Sequence, residues 1–299
     1  MEIQQPFCCP VCGGPLKKQG GALVCPARHS FDIAAKGYAH LLPSSRMHAK
    51  VPGDDRDMVA ARRAFLDSGA YEPFQKALAG LVLEYTAGVP RPFVLDAGCG
   101  EGYYTAAVAK ALREAGREGC VAGFDISKFA VKAAAGRDKQ VFWAVAGSFA
   151  IPVESGAVHC LLNVFSPMVE TEFARVLAPG GVLLYAVPGP RHLFGLKQVL
   201  YDTPYENPVS DTAYKGFALE RRVPVRDCIT VRGEQIGRLF QMTPYYWKTP
   251  RAGAARLAAC TELSTEIEFD FLVYRRTQKQ TGERQKSGKR DKRNPLALE

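Results

Sequence analysis

The sequence predicts an α/β chain: a largely parallel β-sheet covered by helices on both faces, with an antiparallel edge strand and a small metal-bound module at the N-terminus. Three observations predict it. Short apolar runs alternate with helical patterns from about Pro92 onward; a glycine-rich turn joins the first such run to the first such helix; and Cys9, Cys12, Cys25 and His29 stand at metal-ligand intervals near the start. Alternating strands and helices favour a parallel sheet with both faces buried.

Taken in order, residues 1–42 are cysteine-bearing and rich in Gly and Pro, and read as a zinc-binding module of short strands and turns. Residues 43–91 are a linker and helical connector, polar from Pro43 to Asp57 and then helical from Met58 to Asp67. Residues 92–275 carry the α/β pattern. Strands are expected at Phe93–Ala97, Cys120–Ile126, Val141–Val145, Val158–Val164 and Val182–Val187. Helices are expected at Tyr103–Glu114, Lys128–Ala135, Met168–Leu177 and Arg191–Tyr201. The stretch Leu263–Arg275 alternates like an antiparallel edge strand. Residues 276–299 form a basic tail, expected to be disordered because its Lys, Gln, Gly and Ser cannot bury an apolar face.

Composition narrows the class. At 299 residues, 47% hydrophobic and 23% charged, the chain suits a folded domain plus an accessory module. It has neither an apolar run long enough for a membrane span nor a secretory start, so a cytoplasmic protein is expected. Net charge is +9, and residues 275–299 contribute nine Lys/Arg against three acids. That tail is either an electrostatic tether to nucleic acid or a solubilising segment.

The nine cysteines are unevenly placed, with Cys8, Cys9, Cys12 and Cys25 clustered and the rest scattered. Clustered cysteines in a chain of this length point to metal rather than disulfides. Cys9-x2-Cys12-x12-Cys25-x3-His29 brings four soft or borderline ligands to a tetrahedron, which suits a structural Zn²⁺. Cys8 has the wrong spacing, and His40 and His48 lack a paired neighbour.

The turn Val94-Leu-Asp-Ala-Gly-Cys-Gly-Glu-Gly102 ends a strand and opens a helix. Its glycines, Gly98, Gly100 and Gly102, spell G-x-G-x-G; the dinucleotide pattern needs glycine at 103, where Tyr103 stands. A dinucleotide presses a pyrophosphate onto the helix N-terminus. S-adenosylmethionine (SAM) has no phosphate and needs backbone room and an acid for its ammonium, which Asp96 and Glu101 supply. Asp125, ending the next strand, can accept hydrogen bonds from both ribose hydroxyls. Ser148, after the third strand, lies where adenine is expected, and Phe165 and Ser166, after the fourth, are candidate substrate-pocket residues. The fold expected is a Rossmann-like SAM-dependent methyltransferase with a zinc-ribbon-like module.

With these residues assembled, the chain resembles the bacterial 23S rRNA guanine-N1 methyltransferase family. The resemblance rests on the zinc knuckles, Phe31-Asp32, Gly37-Tyr38, Pro52-Gly53-Asp54, Ala61–Asp67 with Tyr71, Leu95–Thr105, Pro188–Leu193 and Gln241–Pro244. It implies SAM as methyl donor, a structural zinc, a target guanine in a 23S rRNA hairpin, and a homodimer whose cleft holds the RNA. It also implies that Tyr71 and His192 lie near the cofactor. One subgroup is associated with macrolide resistance, and the motifs leave the subgroup open.

Methylation at N1 requires an unpaired or flipped base and a route for the N1 proton; Asp54, Asp67 and His192 suit that by residue type. Tyr71, Tyr104 and Phe165 could stack on the base or face the sulfonium, and Arg62, Arg63, Arg191 and Lys197 could meet phosphates. The rival readings are a tRNA or small-molecule methyltransferase and a noncatalytic zinc protein that binds RNA.

Overall fold

The computed structural model describes residues 5–43, 45, 52–209 and 213–277. The expected tail therefore lies almost wholly outside the described residues, as does His48.

Three short strands, β1 (Lys17–Gln19), β2 (Ala22–Val24) and β3 (Ser30–Asp32), form an antiparallel sheet beside the cysteine cluster. The next strand, β4 (Tyr38–His40), leaves that sheet and runs parallel to β7 (Phe142–Val145), with Ala39 opposite Ala144. The N-terminal module is thus stitched into the edge of the main sheet.

Two helices follow. Helix α1 (Arg56–Leu66) starts two residues before the expected Met58, because the Asp55 side chain caps it and accepts from the Asp57 and Met58 amides at 2.9 Å. Helix α2 (Glu72–Tyr85) was not expected. Its signal was present: Pro73 in the first turn, then buried Phe74, Leu78, Leu81 and Val82 on one face.

The remaining elements are β5 (Phe93–Ala97), α3 (Tyr103–Glu114), β6 (Cys120–Asp125), α4 (Lys128–Ala134), β7, β8 (Val158–Val164), α5 (Glu170–Val176), β9 (Leu177–Pro188), α6 (Phe194–Leu200), β10 (Phe217–Arg232), α7 (Glu234–Gln241), a 3-10 turn at Pro244–Trp247, α8 (Arg251–Ala258) and β11 (Glu262–Arg276). The eight-stranded sheet runs β10-β11-β9-β8-β5-β6-β7-β4. Pairings from β4 to β9 are parallel, while β11 is antiparallel to both β9 and β10.

The final stretch is therefore antiparallel, as expected, yet it is not the edge. The edge is β10, which pairs with β11 along nearly its whole length. Its pattern was hidden because most of its side chains are exposed and it carries Pro224, which an edge strand tolerates.

Both sheet faces are covered. On β5, Val94 packs into one hydrophobic cluster and Leu95 into the other; Leu162 and Leu161 divide in the same way on β8. Every residue of β5 is buried, as expected for a central parallel strand. The chain leaves β5 toward β6 on one side and later returns to β8 on the other. That reversal opens a crevice at the carboxyl end of β5, where ligands bind in such sheets. Among the described residues, no helix is long and apolar enough to cross a membrane.

Candidate cofactor and substrate site

A cavity of about 490 Å³ lies in that crevice. Its floor is the turn between β5 and α3. Gly98, Gly100 and Gly102 all have positive φ, at 83°, 54° and 84°, which Cβ-bearing residues adopt only with strain. The Gly98 and Cys99 amides both donate to Phe124 O at 2.9 Å, tying the turn to β6. A Cβ on Gly98 would stand 2.7 Å from Ser166 Cβ. Its absence lets the turn after β8 close over the floor.

Asp96 is buried at the end of β5. Thr105 donates to its Oδ2 at 2.5 Å, and its Oδ1 has no partner. Burial pushes the carboxyl up to about 7, against the Thr105 hydrogen bond, and the Asp125 charge adds to the rise. Asp125 accepts from the Gly100 amide at 3.0 Å and the Ser127 amide at 2.8 Å. Burial raises it as well, partly offset by those amides.

Glu101 is differently placed. Its Oε2 accepts from Arg137 Nε at 2.5 Å, and Arg137 also meets Asp67 at 2.8 Å. Burial still raises Glu101, and Arg137 works against it. Its charge is thus largely matched by protein, with Oε1 left unpaired.

The aromatic wall comes from α2 and the strand ends. Tyr71, at the start of α2, packs edge-on to Phe65 and Phe269 at 5.3 and 5.2 Å, and its buried hydroxyl has no partner. Tyr104 meets Phe74 edge-on at 5.1 Å. Phe165 has φ 55° and is 48% exposed; its ring lies within 17° of parallel to His192, with centroids 6.5 Å apart. Buried Asn163 fixes that turn, accepting from the Ser166 amide at 3.1 Å and donating to Pro167 O at 3.2 Å. Burial lowers His192 to about 3, with Lys197 adding to the fall, so its ring is neutral at physiological pH. The Glu268 amide donates to its Nδ1 at 3.4 Å, leaving Nε2 to carry the proton.

Most of the expected residues therefore meet here: Tyr71, Asp96, Gly98, Gly100, Glu101, Tyr104, Asp125, Arg62, Phe165, Ser166 and His192 all line the cavity. Six expected positions lie outside the lining; one is Lys197, buried with its Nζ donating to Tyr205 O at 3.0 Å and Asn207 Oδ1 at 2.7 Å. Gly102 faces Ala134 and Trp143 rather than the cavity, so its glycine serves packing of α3. Ser148 lies in the turn after β7, outside the lining. Arg63 reaches Ala133 O and Asp67, and Asp67 itself faces arginines rather than the cavity. Arg191 is held by Glu206 and Glu266 at 3.3 and 2.5 Å. Glu266 and Arg137, which capture Arg191 and Asp67, are distant in sequence, whereas Arg63 pairs with Asp67 one helical turn on, a partner the sequence already offered. Conversely, Leu66, Tyr103 and Met242–Tyr245 line the cavity without having been singled out as site residues. The segment Met242–Tyr245 arrives there because α7 packs on α1.

The metal cluster fits its ligand set. A tetrahedron with Zn–S near 2.3 Å and Zn–N near 2.05 Å has S···S edges of about 3.8 Å and S···N edges of about 3.6 Å. Cys12 Sγ and Cys25 Sγ are 3.7 Å apart, and His29 Nδ1 lies 3.5 Å from Cys9 Sγ and 3.4 Å from Cys25 Sγ. All four ligand atoms lie within 4.8 Å of one another, and Cys8 is not among them.

Comparison with known proteins decides the family. A zinc-ribbon profile described as the RlmA N-terminal region matches residues 7–50, and a methyltransferase-domain profile matches residues 93–149. A 23S rRNA (guanine(748)-N(1))-methyltransferase of Streptomyces fradiae is 34% identical over 84% of this chain and 89% of its own. A provisionally named 23S rRNA (guanine-N(1)-)-methyltransferase of Micromonospora griseorubida is 35% identical over 85% of this chain and 91% of its own. The chain belongs to the 23S rRNA (guanine-N1)-methyltransferase family. A Bacillus subtilis member, YxjB, also provisionally named, is 29% identical over 89% of this chain.

Family membership and the site agree on the cofactors. The chain is a SAM-dependent methyltransferase with a structural zinc. Unpaired Asp96 Oδ1, Glu101 Oε1 and Tyr71 hydroxyl are hydrogen-bonding groups left for a ligand, since buried polar atoms are otherwise almost always satisfied. Of the three glycines, Gly100 leaves open room at the floor, since a Cβ there would meet nothing nearer than Arg62 at 4.0 Å.

Proposed function

We propose that this protein methylates N1 of a guanine in a 23S rRNA hairpin. One observation carries the reading: a single cavity joins a cofactor end, with the unpaired buried Oδ1 of Asp96, to an aromatic end where half-exposed Phe165 lies beside buried His192. The named activity of the Streptomyces fradiae relative supports the substrate.

In this reading Asp125 accepts from the cofactor ribose and Asp96 Oδ1 from its ammonium. Asp96 suits the ammonium better than Glu101, whose charge Arg137 already meets. Bound SAM supplies an electrophilic methyl group. Phe165 stacks on the guanine, and neutral His192 donates from Nε2 to its O6. With SAM held there, methyl transfer to N1 would leave the sulfur–carbon electron pair on sulfur and release the N1 proton to a cavity carboxylate or water. Positioning is the principal task for the protein. Of the three residues suited by type to take that proton, Asp54 and His192 line the cavity; His192 is better fitted to donate. The homodimer and the link to macrolide resistance rest on the family resemblance alone.

The test is primer extension across 23S rRNA from cells with and without the gene. N1-methylguanine cannot form a normal pair, so a stop one nucleotide before the target is expected only when the gene is present. If no position in 23S rRNA differs, the proposed substrate is wrong, and tRNA or a small molecule takes its place.

A further inference from the structure

Beyond the part of Gln241–Tyr245 that lines the cavity, the chain makes a 3-10 turn, Pro244–Trp247, whose outer residues Tyr246 and Trp247 do not line it. Three residues make one turn of such a helix, so Trp247 stands directly above Pro244, a lining residue. The turn is firmly anchored. Thr243 Oγ1 donates to Phe240 O at 2.8 Å, and the Thr249 hydroxyl and amide both donate to Tyr245 O, at 2.8 and 3.0 Å.

Two aromatic rings face outward on this lip. Tyr246 packs edge-on to Phe240 at 5.4 Å and to Trp247 at 5.0 Å. A T-shaped contact occupies at most one face of the indole, and Trp247 remains 67% exposed, with Tyr246 at 41%. Lys248 and Arg251 beside them are exposed, and neither has an ion-pair partner among the described residues. A rigid aromatic face with unpaired cations beside the mouth of the cavity is the arrangement that holds unpaired nucleotides: bases stack on the ring and phosphates meet the cations.

We propose that Trp247, braced by Tyr246 and flanked by Lys248 and Arg251, is a stacking platform for an unpaired RNA base next to the guanine in the cavity. The proposal rests on the reading of the cavity as a guanine-methylating site in RNA.

The chain holds two tryptophans, which makes the test direct. Trp143 is 3% exposed and its Nε1 donates to Asp138 O at 2.9 Å, so acrylamide-accessible emission belongs to Trp247. A transcript of the 23S rRNA hairpin, added to full-length protein with S-adenosylhomocysteine, is expected to abolish that accessible fraction. Trp247→Ala is expected to raise KM for the hairpin by about 5- to 160-fold while SAM affinity stays unchanged, and Trp247→Phe is expected to restore most of the loss. Normal hairpin KM in Trp247→Ala, or undiminished quenching in the RNA complex, overturns the platform while the methyltransferase reading stands. Shielding of Trp247 that is present without RNA and grows with protein concentration would instead mark a contact between copies, and overturns it too. A parent protein that binds SAM yet neither binds nor methylates the hairpin overturns both readings.

Discussion

Replacing Asp96 with Asn separates what the site costs the fold from what it gives the cofactor. The Asp96 carboxyl is held near 7 in the folded chain, against an ordinary value of 3.8. A rise of about three units at ~1.36 kcal/mol each is a penalty of about 4 kcal/mol on the folded, cofactor-free protein. The sign follows from proton binding. Below pH ~3.8 the carboxyl is protonated in both folded and unfolded chains and the penalty is absent; it grows as pH rises and is complete above about 7. Asn keeps an oxygen to accept from Thr105 and carries no charge. Thermal unfolding without SAM, from about pH 5 to about pH 8, should therefore show the parent losing about 3 kcal/mol relative to Asp96→Asn. At ~2–4 °C per kcal/mol for a chain of this size, the gap in Tm widens by about 6–12 °C. SAM binding should move the other way. Loss of one partner of a buried charge pair costs ~2–5 kcal/mol, so titration calorimetry should find affinity weaker by on the order of 10²-fold or more. Identical pH profiles for parent and variant would refute the assignment of the burial penalty to Asp96, and undiminished SAM affinity would refute its role toward the ammonium.

Two other substitutions test the remaining parts of the site. Cys12→Ser removes one tetrahedral corner, and zinc should then be lost to a mild chelator that leaves the parent loaded; equal retention by metal analysis would exclude Cys12 as a ligand. Gly98→Ala puts a Cβ at φ 83° and within 2.7 Å of Ser166 Cβ. It should destabilise the fold by about 1–3 kcal/mol and weaken SAM binding, and a variant with parental Tm and SAM affinity would show that the floor is not constrained as described.

What the sequence made legible is what local chemistry determines. Four zinc ligands at fixed intervals, and an acid–glycine turn between a strand and a helix, declare themselves within about ten to twenty residues each. Asp125 was equally readable because it ends the very next strand. The pocket wall from Met242 to Tyr245 was not, since tertiary packing of α7 on α1 brings it to the cavity. Arg191 was read as a phosphate contact because its charge shows in sequence while its partner Glu266 is 75 residues away, and Arg63 because its pairing one turn on with Asp67 was not weighed. Strand β10 was missed because an edge strand can be polar on most positions and accept proline, which erases the alternation that reveals a half-buried strand.

The stitching of β4 onto β7 has a consequence for the cell's handling of this chain. The three-residue strand Tyr38–His40 covers the otherwise open side of a buried parallel strand. Unpaired strand edges are templates for association between chains, and proteins blunt them with short strands, charges or proline. At the far side, β10 carries Arg221, Arg222, Arg226, Asp227 and Pro224, a self-protected border. The near side depends on the zinc module to keep β4 in place. A molecule deprived of zinc is thus expected to lose its border guard as well as part of its N-terminal module, and aggregation of the whole chain on metal removal is the expected outcome.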